Sequence, residues 1–220
     1  MYQKRTKRQE QKENTRGAIY RSARQLFDEK GFDNVTMEEI AAKAGVSVGS
    51  IYFHFNSKQE IMANYHADLD HAYLEYLEAS KAEDAQKSVQ QKLTDFIVFA
   101  CITSANLGVE NIRVVYPYMM CNAEFGSRML NDQRPYYKML QSYVLGGQQS
   151  GEIRRDYSSE DIINDITVLA RGCIMDWCIH GGHTDIAQLA ARTMDIYLHG
   201  LVTRDGTHTQ KPEPEVSSLL

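Results

Sequence analysis

The chain has 220 residues, a formal net charge of −5, 43% hydrophobic and 24% charged residues. That length predicts one or two domains around a sizeable core, and 4 prolines with 14 glycines exclude a collagen-like or low-complexity chain. No apolar run reaches the ~18 residues of a membrane span and no secretory apolar segment follows Met1, so the expectation is a cytoplasmic protein with no membrane partner. Its cysteines, Cys101, Cys121, Cys173 and Cys178, form no CxxC pair and are expected as reduced thiols.

Charge is unevenly placed. The first 24 residues carry eight Lys or Arg against the acids Glu10 and Glu13; residues 1–60 balance at +3 and residues 61–220 at −8. Such asymmetry suits an N-terminal part that meets a polyanion, and equally a solvated basic helix.

In chain order, Ile19, Ala23, Leu26 and Phe27 recur at helical spacing, predicting an amphipathic helix from about Thr15 to Lys30 that Gly31 stops. Thr36 and Glu39 have capping-box spacing before a short helix that ends at Gly45. Ser47 opens the next helix, and Ser57 with Glu60 opens a longer one through Ile61, Tyr65, Leu69, Ala72 and Tyr76. Leu93, Phe96, Ile97, Ala100 and Cys101 share one face of another. The stretch from Asn111 to Cys121 contains Pro117 and is expected to kink or break. A helix starts near Pro135 and ends at Gly146 and Gly147. Ser158 with Asp161 caps one carrying Ile162 to Trp177, and Thr184 caps the last. No strand-like alternation or internal repeat is present, so the predicted fold is all-α.

Two short helices joined at Gly45 have helix-turn-helix geometry. In the second, Ile51 and Phe55 point back to the small core, and Ser47, Val48, Gly49 and Ser50 face outward. Small side chains there let a helix enter a major groove about 12 Å wide. Tyr52 and His54 can donate to phosphate oxygens; Thr36 and Lys58 sit at helix starts, which favour anions. Lys4 to Arg8 can reach the backbone or a minor groove. The plainer alternative is that Tyr52, Phe53 and Phe55 fill a hydrophobic cluster.

Residues from about Thr15 to Tyr65 resemble the DNA-binding domain of the TetR family of bacterial transcriptional regulators. The resemblance rests on Ala23, Leu26, Phe27, Gly31 and Phe32, then Thr36, Met37, Ile40, Ala41, Ala44, Gly45, Val46 and Ser47, and on the run Gly49 to Phe55 with Ser57 and Lys58. It covers about a quarter of the chain. It implies a homodimer on a palindromic operator, a C-terminal ligand-binding domain, and DNA contacts at Thr36, Ser47, Val48, Gly49, Ser50, Tyr52, His54 and Lys58. Val48 and Gly49 cannot hydrogen-bond a base through side chains, so Ser47, Ser50 and DNA shape are expected to carry specificity.

The last helix shows one apolar stripe at Ile186, Leu189, Ala190, Tyr197 and Leu201 and a second at Ala187, Ala191, Met194 and Leu198, which predicts a homodimer through the last two helices, the alternative being a fully buried central helix in a monomer. Aromatic and methionine residues between 96 and 145 suit a mostly apolar effector; Phe96, Phe99, Tyr116, Met119, Met120, Tyr137 and Trp177 are the ligand-binding candidates. No phosphate loop, nucleophile–base pair or metal-ligand spacing is recognisable, so no enzyme activity, metal or cofactor is expected.

The expected organisation is therefore a basic flexible arm over 1–14, a helix-turn-helix DNA-binding domain over 15–60, a helical ligand-binding and dimerisation domain over 61–203, and a disordered tail over 204–220. The expected function is a transcriptional regulator, leaning to a repressor released from double-stranded operator DNA by a small effector. The alternative is a DNA-bound adaptor controlled by a protein partner.

Overall fold

The computed structural model describes residues 6–201. It is all-α, with eleven helices among the described residues: α1 (Lys7–Lys30), α2 (Met37–Ala44), α3 (Val48–His54), α4 (Lys58–Ala63), α5 (His66–Asp84), α6 (Val89–Ala105), α7 (Val109–Cys121), α8 (Ala123–Met129), α9 (Pro135–Ser150), α10 (Ser159–Ile179) and α11 (Ile186–Leu201). Among the described residues, no single helix is long and apolar enough to cross a membrane.

The chain forms two compact units. The first comprises the described residues up to Ala72 with Thr103–Asn131 and Cys178–Gly182. Within it α1 packs on α2 and α4, α2 on α3, α4 on α7, and α7 on α8. Its core is made by Ile19, Ala23, Ile40, Ile51, Phe55, Ile61 and Met62, all at most 1% exposed. Two polar ties fasten α1 to later helices: the Tyr20 hydroxyl donates to Asp68 at 2.8 Å, and the buried Asn111 amide donates to Leu107 C=O and to Asp28. The second unit holds Tyr73–Ile102, Asp132–Trp177 and the described residues from His183. Leu93, Phe96, Ile97, Leu140, Ile162 and Ile166 fill its core beside Ala190, Met194 and Leu198 of α11.

Several boundaries differ from those expected. Residues 7–14, placed in a flexible arm, are the first two turns of α1, started by a capping box in which Gln9 N–H bonds Thr6 Oγ1 and Gln9 Oε1 accepts from Thr6 N–H. These residues are exposed and carry no apolar stripe, so periodicity could not find them. Lys4, Arg5 and the expected tail lie outside the described residues. The long helix expected after Ser57 is two, because Asn64 and Tyr65 turn back onto Ile61 and Met62 carbonyls. The buried positions Ile61, Tyr65 and Leu69 keep helical spacing across that turn, which hides it in the sequence. α7 continues through Pro117 unbroken, held by its buried Ile112 and Val115 against the loss of one hydrogen bond. Asp185, not Thr184, caps α11: its carboxylate accepts from Gln188 N–H at 3.0 Å. α9 runs past Gly146 and Gly147 to a left-handed Gly151.

Candidate nucleic-acid interface

The recognition element is assembled from local chemistry. Thr36 Oγ1 accepts from Glu39 N–H at 3.2 Å, and Glu39 returns the bond to Thr36 N–H at 2.9 Å, fixing the start of α2. Lys30 bonds the same carboxylate at 2.6 Å; with the Thr36 N–H it holds Glu39 below the usual carboxylate range. Gly45 ends α2 at φ 68°, ψ 31°, a left-handed geometry glycine adopts without strain, and Val46 N–H reaches back to Ala41 C=O at 3.0 Å. Ser47 then caps α3 by accepting from Ser50 N–H at 3.1 Å. Two helices thus follow each other across a three-residue link.

α3 is divided between core and solvent. Ile51 and, just beyond the helix, Phe55 are buried, at 0% and 1% exposure. Ser47, Gly49, Tyr52 and Phe53 are exposed; Val48 and Ser50 are half-buried; Thr36 is exposed at the start of α2. The outward set therefore holds six of the eight contacts inferred from the sequence. Phe53 joins them with 70% of its surface exposed, and Lys12 of α1 lies over its ring at 5.3 Å from the centroid. Of the three aromatic residues weighed as a hydrophobic cluster, only Phe55 packs inside.

Two inferred contacts turn inward. The His54 ring is 9% exposed; burial, and then the positive charges of Arg16 and Lys12, push its pKa down, so the imidazole is neutral at pH 7. Lys58 Nζ donates to Phe32 C=O at 2.8 Å and to Asp33 C=O at 3.4 Å, and lies over the Phe32 ring. It ties the start of α4 to the α1–α2 connection.

Arg16 is the residue the sequence reading passed over. Its guanidinium donates to His54 C=O at 2.7 Å and to Asn64 Oδ1 at 3.4 Å, while stacking on Phe55 at 4.1 Å. A signal was present: Arg16 precedes Ile19, Tyr20 and Ala23 at core-facing spacing, where a charge needs a partner.

The effector candidates are divided between the two units. Phe96 is fully buried among Tyr73, Tyr76 and Tyr136, and Tyr137 stands edge-on to Tyr136 with its hydroxyl accepting from Arg171. Phe99 packs on Tyr76, with centroids 4.5 Å apart, and lines a groove of the second unit. Trp177 is half-buried on α10. Tyr116, Met119 and Met120 belong to α7 in the first unit, and Met120 is 68% exposed. Helical spacing located apolar faces but carried no information about which faces meet.

The comparisons agree with this geometry. Residues 16–65 match the family model described as bacterial regulatory proteins, tetR family, a span that holds every residue of the interface except Lys12. The chain is 26% identical over 147 residues to the probable HTH-type transcriptional regulator YttP of Bacillus subtilis (strain 168), covering 66% of this chain and 69% of that protein. It is 23% identical over 185 residues to the fatty acid metabolism regulator protein of the same organism, covering 83% and 93%. The fold is similar to that of Thermus thermophilus FadR, a TetR family transcriptional repressor solved with lauroyl-CoA, at a TM-score of 0.71 and 20% identity, over 90% of this chain and 98% of that one. The capped α2–Gly45–α3 geometry and the matched span carry one conclusion: residues 16–65 are a DNA-binding domain of the kind found in the TetR family of bacterial transcriptional regulators.

Proposed function

We propose that this regulator is a homodimeric repressor whose two α3 helices enter successive major grooves of a palindromic operator and are released by a small effector. The observation that carries the reading is the outer face of α3. Ser47, Gly49 and Ser50 keep its N-terminal end narrow, and Tyr52 and Phe53 flank it where phosphates and sugars lie. Lys7, Arg8 and Lys12, exposed along α1, add the positive charge a duplex attracts. Half-sites one helical turn apart, about 34–36 Å, require two copies of α3, hence a dimer.

The dimer reading is supported by apolar residues left uncovered in the second unit. Val168 and Met175 of α10 are 55% and 45% exposed with Gly172 between them at helical spacing, and Ile196 of α11 is 69% exposed. Burying such a stripe against its own copy is the usual resolution in helical dimers. Release by an effector is supported by relatives named for fatty acid metabolism or solved with lauroyl-CoA.

The test is binding to DNA upstream of the protein's own reading frame, followed by fluorescence anisotropy from low to high salt. Steep salt dependence with a two-protomer stoichiometry is expected, and Val168→Arg with Met175→Arg yields a monomer that no longer holds the operator. Failure to retain any such DNA at low salt overturns the reading.

A further inference from the structure

The second unit contains a groove of about 720 Å³ between α5, α6 and α11. Part of its lining is apolar and aromatic: Tyr76 and Phe99, with rings 4.5 Å apart, together with Ala187 and Ala191. The rest includes charged groups, and their balance is one-sided. Glu83, Lys87 and Asp95 line the groove, and Asp84 lies behind Ser80 and Lys87. One ammonium therefore serves three carboxylates: Lys87 Nζ is 2.9 Å from Asp95, 3.4 Å from Glu83 and 4.0 Å from Asp84.

Asp84 is the informative member. It is 8% exposed, and its Oδ2 accepts from the Tyr143 hydroxyl at 2.6 Å and the Ser80 hydroxyl at 3.2 Å. Its Oδ1 is equally buried and has no hydrogen-bond partner among the described residues. A buried carboxylate oxygen without a donor costs free energy unless positive charge approaches it. The Lys87 ammonium stands 4.0 Å from this oxygen, beyond hydrogen-bond distance, and its shortest bond goes to Asp95, the contact that pushes its pKa up to about 12 and keeps it charged. The aromatic lining feels the same field: Tyr76 is pushed up to about 12, first by burial and then by Asp84 and Asp95.

We infer that this groove binds an organic cation with an apolar or aromatic body, its positive centre drawn to Asp95 and Glu83, with the buried charge of Asp84 behind them, and its body lying against Tyr76 and Phe99. Aromatic faces attract cations, and the carboxylate excess repels anions, so the rule of opposite charges and the ring chemistry select the same class. The inference rests on the effector-controlled reading above for its biological role, but not for binding itself.

The test uses two probes of nearly equal size and shape and opposite charge, tetraphenylphosphonium and tetraphenylborate, with lauroyl-CoA as a third, polyanionic probe. Each is titrated calorimetrically into the full chain, and operator release is followed in parallel by anisotropy. Tetraphenylphosphonium is expected to bind at least about tenfold more tightly than tetraphenylborate. Glu83→Gln, at an exposed position, with Asp95→Asn, at a half-buried one, removes that preference, and Lys87→Met strengthens cation binding about threefold. Asp84→Asn weakens it further if the variant folds; the double variant keeps the test valid if it does not. Equal or tighter binding of tetraphenylborate or lauroyl-CoA, no heat with millimolar tetraphenylphosphonium, or indifference to the charge variants overturns the inference. Operator release by lauroyl-CoA without tetraphenylphosphonium binding sinks the groove and leaves effector control standing. Charge-dependent binding without operator release does the reverse.

Discussion

The Arg16 guanidinium donates to the main-chain carbonyl of His54 at 2.7 Å, joining the middle of α1 to the end of the recognition helix. The carbonyls of a helix's last turn have no partner within the helix, and a charged donor is the strongest group that can satisfy one. Stacked on Phe55 and bonded to Asn64, Arg16 sets the angle at which α3 leaves the core. Arg16→Ala is expected to cost about 1.5–3 kcal/mol of stability, the range for hydrogen bonds to charged groups. Urea unfolding of the full chain measures it. Operator affinity falls with it, while the slope of affinity against salt stays unchanged, because Arg16 is spent inside the protein and neutralises no phosphate. A reduced salt slope would place Arg16 on the DNA instead.

The outward residues separate in the same assay. Tyr52→Phe removes one hydroxyl and is expected to weaken operator and unrelated DNA alike, by about 1 kcal/mol, as a phosphate contact does. Lys12→Ala lowers the salt slope by about one. Lys58→Ala leaves the slope alone and lowers the unfolding midpoint, because its ammonium bonds the Phe32 and Asp33 carbonyls. Loss of salt slope in Lys58→Ala with unchanged stability would restore it to the DNA-contacting set.

Which parts of this arrangement a sequence can reveal follows from the range of the interactions. The caps Thr36, Ser47 and Ser158 each bond a main-chain N–H three residues on, so spacing alone locates them. The second capping box is half as read: Ser57 accepts from Glu60 N–H, but the Glu60 carboxylate takes the Asn56 N–H and side-chain amide. Arg16 and Lys58 look like surface cations until the fold brings carbonyls 38 and 26 residues away to meet them. On α11 the sequence offers two apolar stripes for packing; of the second, Met194 and Leu198 are buried in the core, while Ala187 and Ala191 line the groove. Asp84 gives no sign in the sequence that it is buried, since the tyrosine that bonds it lies 59 residues on.

His54 makes the fold sensitive to acid. Its folded pKa lies below the ordinary 6.5, so between the two values the unfolded chain binds more protons than the folded one. Stability therefore rises with pH through that window and is lost as pH falls below 6.5. The slope is bounded by one proton, about 1.4 kcal/mol per pH unit. Thermal melts from pH 7.5 to 5 should show the decline, and His54→Gln, which does not titrate, should flatten it. An identical decline in that variant would assign the acid sensitivity to another group.

Adjacent glycines in α9 offer the sharpest contrast. At Gly146 an added Cβ meets no atom within 4 Å, whereas at Gly147 it comes within 2.9 Å of Ile153 and Val89 side-chain carbons. The pair reads as a helix end, yet the helix passes through both, and Gly147 is there because α9 lies so close to Ile153 and Val89. Gly146→Ala removes backbone freedom from the unfolded chain at no steric cost and should stabilise by about 0.5–1 kcal/mol. Gly147→Ala gains the same amount but forces branched side chains apart, an overpacking cost of about 1–3 kcal/mol, so the net change is destabilising. Denaturant midpoints of the two variants should fall on opposite sides of the parent; if both rise, the contact at Gly147 yields freely and the close approach of α9 is not what maintains the glycine.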